Sequence, residues 1–110
     1  METERKPKKV TRDGMVAVLI SPGFGAGWST WTSEHAEMLL FDHRFVEAAE
    51  AGVTDIEPIV KQVFGKDEYI YTGGWRDISI CWLPAGTAFM VNEYDGNESI
   101  VDAQKLIFVA

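Results

Sequence analysis

Cysteine is scarce in this chain. Cys81 is the only one among 110 residues, which excludes an internal disulfide and a multi-cysteine zinc site. No apolar run approaches the roughly 20 residues that a membrane span needs. The charged N-terminus is not followed by the apolar segment of a signal peptide. These absences predict a protein of the reducing cytoplasm that does not contact a membrane.

Histidine is almost as scarce, and the positions of the two histidines indicate neither a metal site nor a catalytic site. His35 and His43 lie eight residues apart without a third ligand at a recognisable spacing, so the sequence predicts no metal site. No motif links either histidine to Cys81, and no serine lies in a nucleophile elbow. We therefore predict no catalytic residues, no metal and no cofactor.

Positive charge is also limited, with 10 Lys and Arg against 17 Asp and Glu and a net charge of −7. Half of the basic residues fall within positions 1–12, which we predict to be a flexible basic arm before a single domain at 13–110. From residue 14 onward, 5 basic residues face 14 acidic ones. Such a body disfavours direct binding to nucleic acid. It either keeps the protein soluble or docks on a basic partner, including by imitating nucleic acid.

The first half of the chain predicts a strand followed by helices. The continuous apolar run 15–20 is typical of a strand buried on both faces. Helical periodicity covers 33–50, where Asp42 can cap a new turn and divide the helix. Residues 54–57, Thr-Asp-Ile-Glu, form a capping-box pattern that predicts another helix up to Gly65.

The second half predicts strands joined by short turns, with Asp95-Gly96 as a strong hairpin signal. In the segment 77–83 the apolar residues alternate, which places Ile78, Ile80 and Trp82 on one face. The predicted strands are 69–71, 77–83, 89–94, 99–101 and 106–109. Together these elements predict an α+β fold, in which two short helices pack on one face of a mixed, mostly antiparallel sheet of about five strands.

The most distinctive stretch is the glycine- and tryptophan-rich segment 21–31. Glycines that follow a buried strand are typical of phosphate-cradling turns. Here no helix begins at the last glycine and no lysine follows, so a structural turn or a partner-binding loop competes with a ligand site. The candidate ligand-binding residues are Gly23, Gly25, Gly27, Trp28 and Ser29.

Tryptophans beside turns also suggest contacts with another macromolecule. Trp75 lies in a turn next to Arg76, which predicts exposure and resembles an interface hot spot, although packing over the sheet would also explain it. At the hairpin turn, Tyr94 and the carboxylates of Asp95 and Glu98 form a candidate acidic contact patch. The candidate partner-binding residues are Trp28, Trp31, Trp75, Arg76, Tyr94, Asp95 and Glu98.

Three segments together resemble small uncharacterised proteins encoded by bacteriophages and prophages: 21–28, 71–74, and 84–87 continuing through 93–96. The likeness spans most of residues 14–110 and is one of general pattern. It implies a bacterial cytoplasm during infection and binding to a host protein, such as a defence component. The leading hypothesis is a small acidic interaction protein, the alternative is a small-ligand or nucleotide binder, and the strand 106–109 offers an edge for a homodimer.

Overall fold

The computed structural model describes residues 6–102 and 108–110. Within them lie three α-helices, six β-strands and three short 3₁₀ turns, so the predicted α+β class is confirmed. The strands are β1 Thr11–Arg12, β2 Met15–Ile20, β3 Ser79–Pro84, β4 Ala88–Tyr94, β5 Asn97–Asp102 and β6 Phe108–Val109. The helices are α1 Ala36–Phe41, α2 His43–Ala51 and α3 Glu57–Phe64, and the 3₁₀ turns are Ser29–Trp31, Ser33–His35 and Gly73–Asp77.

Strand β2 runs through the middle of the first sheet, whose order is β1-β2-β3 with antiparallel pairing throughout. Ala17 and Leu19 face one hydrophobic core, whereas Val16 and Val18 face another. All four side chains are at most 2% exposed. The prediction of a strand buried on both faces is confirmed.

The helices cover the face of β2 that carries Ala17 and Leu19. Leu39 of α1, Phe45 of α2 and Val63 of α3 are fully buried in the core on this side. Ile80 and Trp82 of β3 pack against the same core, as their alternation predicts. No helix in the described part of the chain is long and apolar enough to cross a membrane.

A second antiparallel sheet, of order β5-β4-β6, covers the opposite face of β2. Phe89 of β4 meets Phe41 edge-on, with ring centroids 6.1 Å apart, in the core that holds Val16 and Val18. The expected single sheet is therefore divided into two sheets of three strands. The physical reason is that β2 has two apolar faces. The helices cover the face of Ala17 and Leu19, and the second sheet, together with the end of α1, covers the face of Val16 and Val18.

Of the two helix caps predicted from the sequence, the one at Asp42 forms and the one at Thr54 does not. Asp42 has extended backbone angles, φ −64° and ψ 135°, and its side chain accepts a hydrogen bond from the Arg44 N–H, so it divides α1 from α2 as predicted. The predicted capping box before α3 does not form. Glu57 N–H instead donates to the Asp55 carboxylate, 3.1 Å away, and Thr54 makes no cap.

Two predicted strands differ from the structure. Residues 69–71 lie in a connection outside the strands of the described chain, anchored by the buried side chain of Ile70. Of the predicted strand 106–109, Phe108–Val109 form β6 beside β4. Positions 106 and 107 lie outside the described residues.

The prediction of a free arm over residues 1–12 is wrong for its second half, and residues 1–5 lie outside the described chain. Strand β1 pairs with β2, and Lys9 Nζ donates to a backbone carbonyl of β6 at 2.9 Å. Arg12 binds both carboxylate oxygens of Glu50 on α2, at 2.6 and 2.8 Å. These basic side chains have acidic or carbonyl partners on the body, which holds the segment in place.

Asp42 also connects this N-terminal segment to α2. Its carboxylate is 1% exposed and accepts hydrogen bonds from Arg44 Nε at 2.8 Å and from the Lys8 backbone N–H at 3.4 Å. Burial by itself would raise the pKa of Asp42, but the hydrogen bonds from Arg44 and Lys8 outweigh burial and lower the pKa below its ordinary value. The ionised carboxylate therefore stabilises the fold above the pKa of an unfolded aspartate, and this contribution is lost as the pH falls through the lowered pKa.

Replacing Asp42 with alanine removes the cap of α2 and the partner of Arg44. We expect the free energy of unfolding at pH 7 to fall by about 1–2 kcal/mol. The difference from the parent protein should shrink below about pH 4, because the parent carboxylate then becomes protonated. Urea denaturation across pH measures both effects. Asp42→Asn is the matched control, since it keeps a capping oxygen without the charge, and a difference that stays constant into strong acid would contradict the assignment.

Candidate binding surface

Three segments that are distinctive in the sequence meet at one end of the molecule. They are the glycine loop, defined as residues 21–31, the 3₁₀ turn Gly73–Asp77 and the tip of the β4–β5 hairpin. A Cβ atom at Gly74 or at Gly96 would overlap the backbone of the glycine loop. Glycine at these two positions therefore permits the close approach that brings the three segments together.

The carboxylate of Glu98 lies at the centre of this junction and is 1% exposed. One oxygen accepts the Ser21 N–H at 2.9 Å. The other accepts the Trp28 N–H at 2.6 Å, the Thr30 N–H at 3.1 Å and the Thr30 hydroxyl at 2.6 Å. The backbone N–H of Glu98 in turn donates to the Ser21 carbonyl at 2.8 Å. The glycine loop thus cradles an anion, and that anion is a side chain of the same protein.

The hairpin tip makes a second connection to the loop. Asp95 and Gly96 both have positive φ, 51° and 85°, as a type I′ turn requires, so the predicted hairpin is confirmed. The Asp95 carbonyl accepts the N–H of Gly25 at 2.7 Å. Because β4 and β5 pair with Glu93 opposite Glu98, these two carboxylates start from the same face of the hairpin.

Glu93 bridges the hairpin tip and the glycine loop from the outside. Its carboxylate accepts the Gly96 N–H at 2.7 Å and the indole N–H of Trp31 at 3.1 Å. These hydrogen bonds, first from Gly96 and then from Trp31, hold the pKa of Glu93 below its ordinary value. Glu93 is exposed, so a fixed negative charge is presented to solvent beside an aromatic ring.

Exposed rings and carboxylates surround this junction. Phe24 is 61% exposed, Trp31 41% and Tyr94 77%, which is unusual for large apolar side chains. Tyr71 is half-buried and lies against Trp31, with ring centroids 5.3 Å apart. We name this region the aromatic–acidic surface and define it as Phe24, Trp31, Tyr71, Asp77, Glu93, Tyr94 and Asp95. It contains three carboxylates and no lysine or arginine.

Of the predicted partner-binding residues, Trp31, Tyr94 and Asp95 lie on this surface. Arg76 is exposed as well, and lies on the rim of a groove of about 600 Å³ between the end of α2 and the start of α3. The wall of that groove includes Glu57 and Thr72, whose side chains are hydrogen-bonded to each other at 2.8 Å.

Three predicted contact residues lie in the interior instead. The expectation that Trp75 is exposed is wrong, because the 3₁₀ turn folds back and leaves the ring 4% exposed, with its indole N–H bonded to the Val53 carbonyl at 2.8 Å. Trp28 is fully buried 5.4 Å from the Trp75 ring, and its indole N–H donates to the Leu39 carbonyl at 2.7 Å. With Glu98 also buried, these side chains support the surface from beneath and a partner does not reach them.

The residues of the alternative ligand site are divided between surface and interior. Gly25 is exposed and Gly23 half-buried, whereas Gly27, Trp28 and Ser29 are buried. The N–H groups of Gly25 and Trp28 already donate within the protein. None of the five residues lines the groove beside Arg76 or the smaller cavity of about 210 Å³ beside α3. The glycine loop therefore has a structural role, in which its N–H groups bind the buried carboxylate of Glu98.

The sequence-based prediction did not include Phe24, Tyr71 or Glu93. A usable signal existed for Glu93, because a two-residue turn at Asp95-Gly96 places positions 93 and 98 opposite each other. That signal does not tell which of the two carboxylates turns inward. Phe24 and Tyr71 carried no signal beyond their proximity to glycines.

The residues considered for catalysis are dispersed. His35 pairs with Glu68 at 2.8 Å and His43 with Glu47 at 3.2 Å. Burial raises the pKa of the Cys81 thiol, which disfavours the reactive thiolate. Among residues 6–102 and 108–110, no three His, Cys, Asp or Glu side chains are grouped as a metal site would require.

Comparison of the chain with models of protein families, with curated proteins and with solved structures finds no match.

Replacing Glu98 with glutamine tests the central role of its carboxylate. The variant keeps the shape of the side chain but turns one acceptor into a donor that faces buried N–H groups. Because each unsatisfied buried donor costs about 1–3 kcal/mol, we expect the free energy of unfolding to fall by at least about 2 kcal/mol. Urea denaturation followed by tryptophan fluorescence measures the change.

Glu93→Gln is the control, since Glu93 is the exposed cross-strand partner of Glu98. Its expected loss of unfolding free energy is below about 1 kcal/mol, as for other surface interactions. Equal losses for the two variants would show that the buried carboxylate has no special role.

Proposed function

We propose that this protein is a small acidic interaction protein that binds a host macromolecule through the aromatic–acidic surface. The carrying observation is that the hairpin and the glycine loop, bonded to each other through Glu98, meet the turn Gly73–Asp77 at one junction and present exposed rings and carboxylates around it. The buried rings of Trp28 and Trp75 support this arrangement from below.

The aromatic members favour binding over mere solubility. Tryptophan and tyrosine dominate the energetic hot spots of protein interfaces, because their rings bury large areas at a small loss of conformational freedom. Trp31 is held by the Glu93 carboxylate and by Tyr71. A ring that is already fixed loses less entropy when a partner binds, which strengthens association.

The acidic members favour a basic partner. Asp77, Glu93 and Asp95 add to a body with 5 basic residues against 14 acidic ones from position 14 onward. Complementary charge accelerates encounter and selects partners. A host protein that itself binds nucleic acid presents such a basic surface, whereas nucleic acid would be repelled.

The origin and target follow from the resemblance to small bacteriophage and prophage proteins. In this proposal the protein acts in the bacterial cytoplasm during infection, and a component of host defence is the example of its target. A homodimer through the sheet edge at β6, Phe108–Val109, is a separate proposal. Native mass spectrometry of the purified chain tests it directly.

The double variant Tyr94→Ala, Asp95→Asn tests the surface. Asparagine tolerates the positive φ of position 95, so the turn is retained. We expect the captured bacterial partner to bind at least about tenfold more weakly, as for loss of an interface hot spot. Capture from lysate, followed by titration of the identified partner at low and high salt, measures the effect.

Tyr69→Ala is the matched control, because Tyr69 is 77% exposed, the same fraction as Tyr94. It lies beside a different cavity, lined by Lys61 and Lys66. The proposal requires a captured protein that the double variant loses and the control retains, with affinity that falls as salt rises. A partner held equally by both variants would place the interface elsewhere.

A further inference from the structure

The carboxylate of Glu93 is held in position by hydrogen bonds to only one of its two oxygens. Both of its hydrogen bonds, from the Gly96 N–H and from the Trp31 indole, reach the same oxygen, Oε2. In the described part of the chain, no lysine, arginine or histidine forms an ion pair with it. Its exposed position leaves Oε1 able to accept hydrogen bonds from outside the molecule.

The ring of Trp31 is bonded to this carboxylate, and the ring of Tyr71 packs on Trp31. Trp31 and Tyr71 are inclined at 35° with centroids 5.3 Å apart. Each ring also packs closely on a glycine, Trp31 on Gly27 and Tyr71 on Gly73, where a Cβ atom would collide with the ring. Each ring is therefore held by a glycine as well as by the other ring.

We propose that Trp31, Tyr71 and Glu93 form a subsite for one cationic side chain, the guanidinium of an arginine or the ammonium of a lysine, in a bound partner. This inference deepens the proposed function and rests on it. Glu93 Oε1 accepts a charge-assisted hydrogen bond from the cation. The electron-rich rings attract the same cation.

A cation is the chemistry that this subsite accepts best. An anion would meet the Glu93 carboxylate and the carboxylate of nearby Asp95, and a purely apolar group would leave Glu93 Oε1 without a partner. Arginine combines a flat face that stacks on aromatic rings with several N–H donors. Lysine supplies the charge without the flat face, so the two side chains are distinguishable by experiment.

The indole N–H of Trp31 reports directly on this subsite, because it donates to Glu93. We would titrate ¹⁵N-labelled full-length protein with N-acetylarginine amide, N-acetyllysine amide and N-acetylcitrulline amide, which is a neutral analogue of the first. The Trp31→Phe variant identifies the Trp31 signal among those of the four tryptophans. The expected result is a saturable shift with arginine and none with citrulline.

The lysine titration decides between the two cations. A shift equal to that of arginine assigns the subsite to any cationic side chain, and a smaller shift assigns it to the stacked guanidinium. Both results support the subsite. A citrulline shift as large as that of arginine overturns it, since charge would then not be recognised.

Glu93→Gln keeps the size of the side chain and removes the charge. It should weaken arginine binding at least about fivefold. Glu37→Gln, at an exposed position on α1, should leave the binding unchanged. Equal binding by the parent protein and Glu93→Gln would overturn the inference.

Failure of the subsite and failure of the proposed function are distinguishable. If arginine produces no Trp31 shift while a captured partner is still lost by the Tyr94 and Asp95 double variant, the subsite is wrong and the interaction surface stands. If arginine binds the parent protein and the Glu93→Gln substitution weakens this binding, but captured partners bind the double variant as tightly as the parent, the subsite stands and the proposed interface is wrong.

Discussion

The buried carboxylate of Glu98 is the constraint on which this end of the molecule depends. A charged carboxylate leaves water at a cost of several kcal/mol unless hydrogen bonds replace its hydration. Three backbone N–H groups and one hydroxyl of the glycine loop supply that replacement. The same N–H groups would otherwise lack acceptors in the interior. Loop and hairpin therefore need each other, and their mutual bonding ties the second sheet to the connection that leaves the first.

The glycines of the junction follow from this need for close contact. Gly74 and Gly96 let two further segments approach the loop backbone, and Gly27 and Gly73 each seat an aromatic ring. A pattern that resembles a phosphate-binding turn in the sequence is in fact the packing surface for the protein's own elements. In the proposed function this rigidity has a use, because rings and charges that are already fixed would lose less entropy when a partner binds.

The N-terminal segment is held to the rest of the protein by a smaller set of polar contacts. Asp42 caps α2 and receives the N-terminal segment, and Arg12 pairs with Glu50. Arg12, which the sequence predicts to lie in a free arm, is thereby paired with an acidic residue of the body. The carboxylates of Asp77, Glu93 and Asp95 at the aromatic–acidic surface, by contrast, form no ion pair among the described residues.

Local patterns were sufficient for three of the elements that depend on neighbouring residues. The apolar run of β2, the division of the helix at Asp42 and the Asp95-Gly96 turn are all readable from the sequence, because periodicity, capping and positive φ are local properties. Whether Trp75 points outward, whether Glu93 or Glu98 turns inward, and whether the strands form one sheet or two depend on contacts between residues far apart in the chain. Only the tertiary structure decided these, since burial of a side chain is a property of what packs over it.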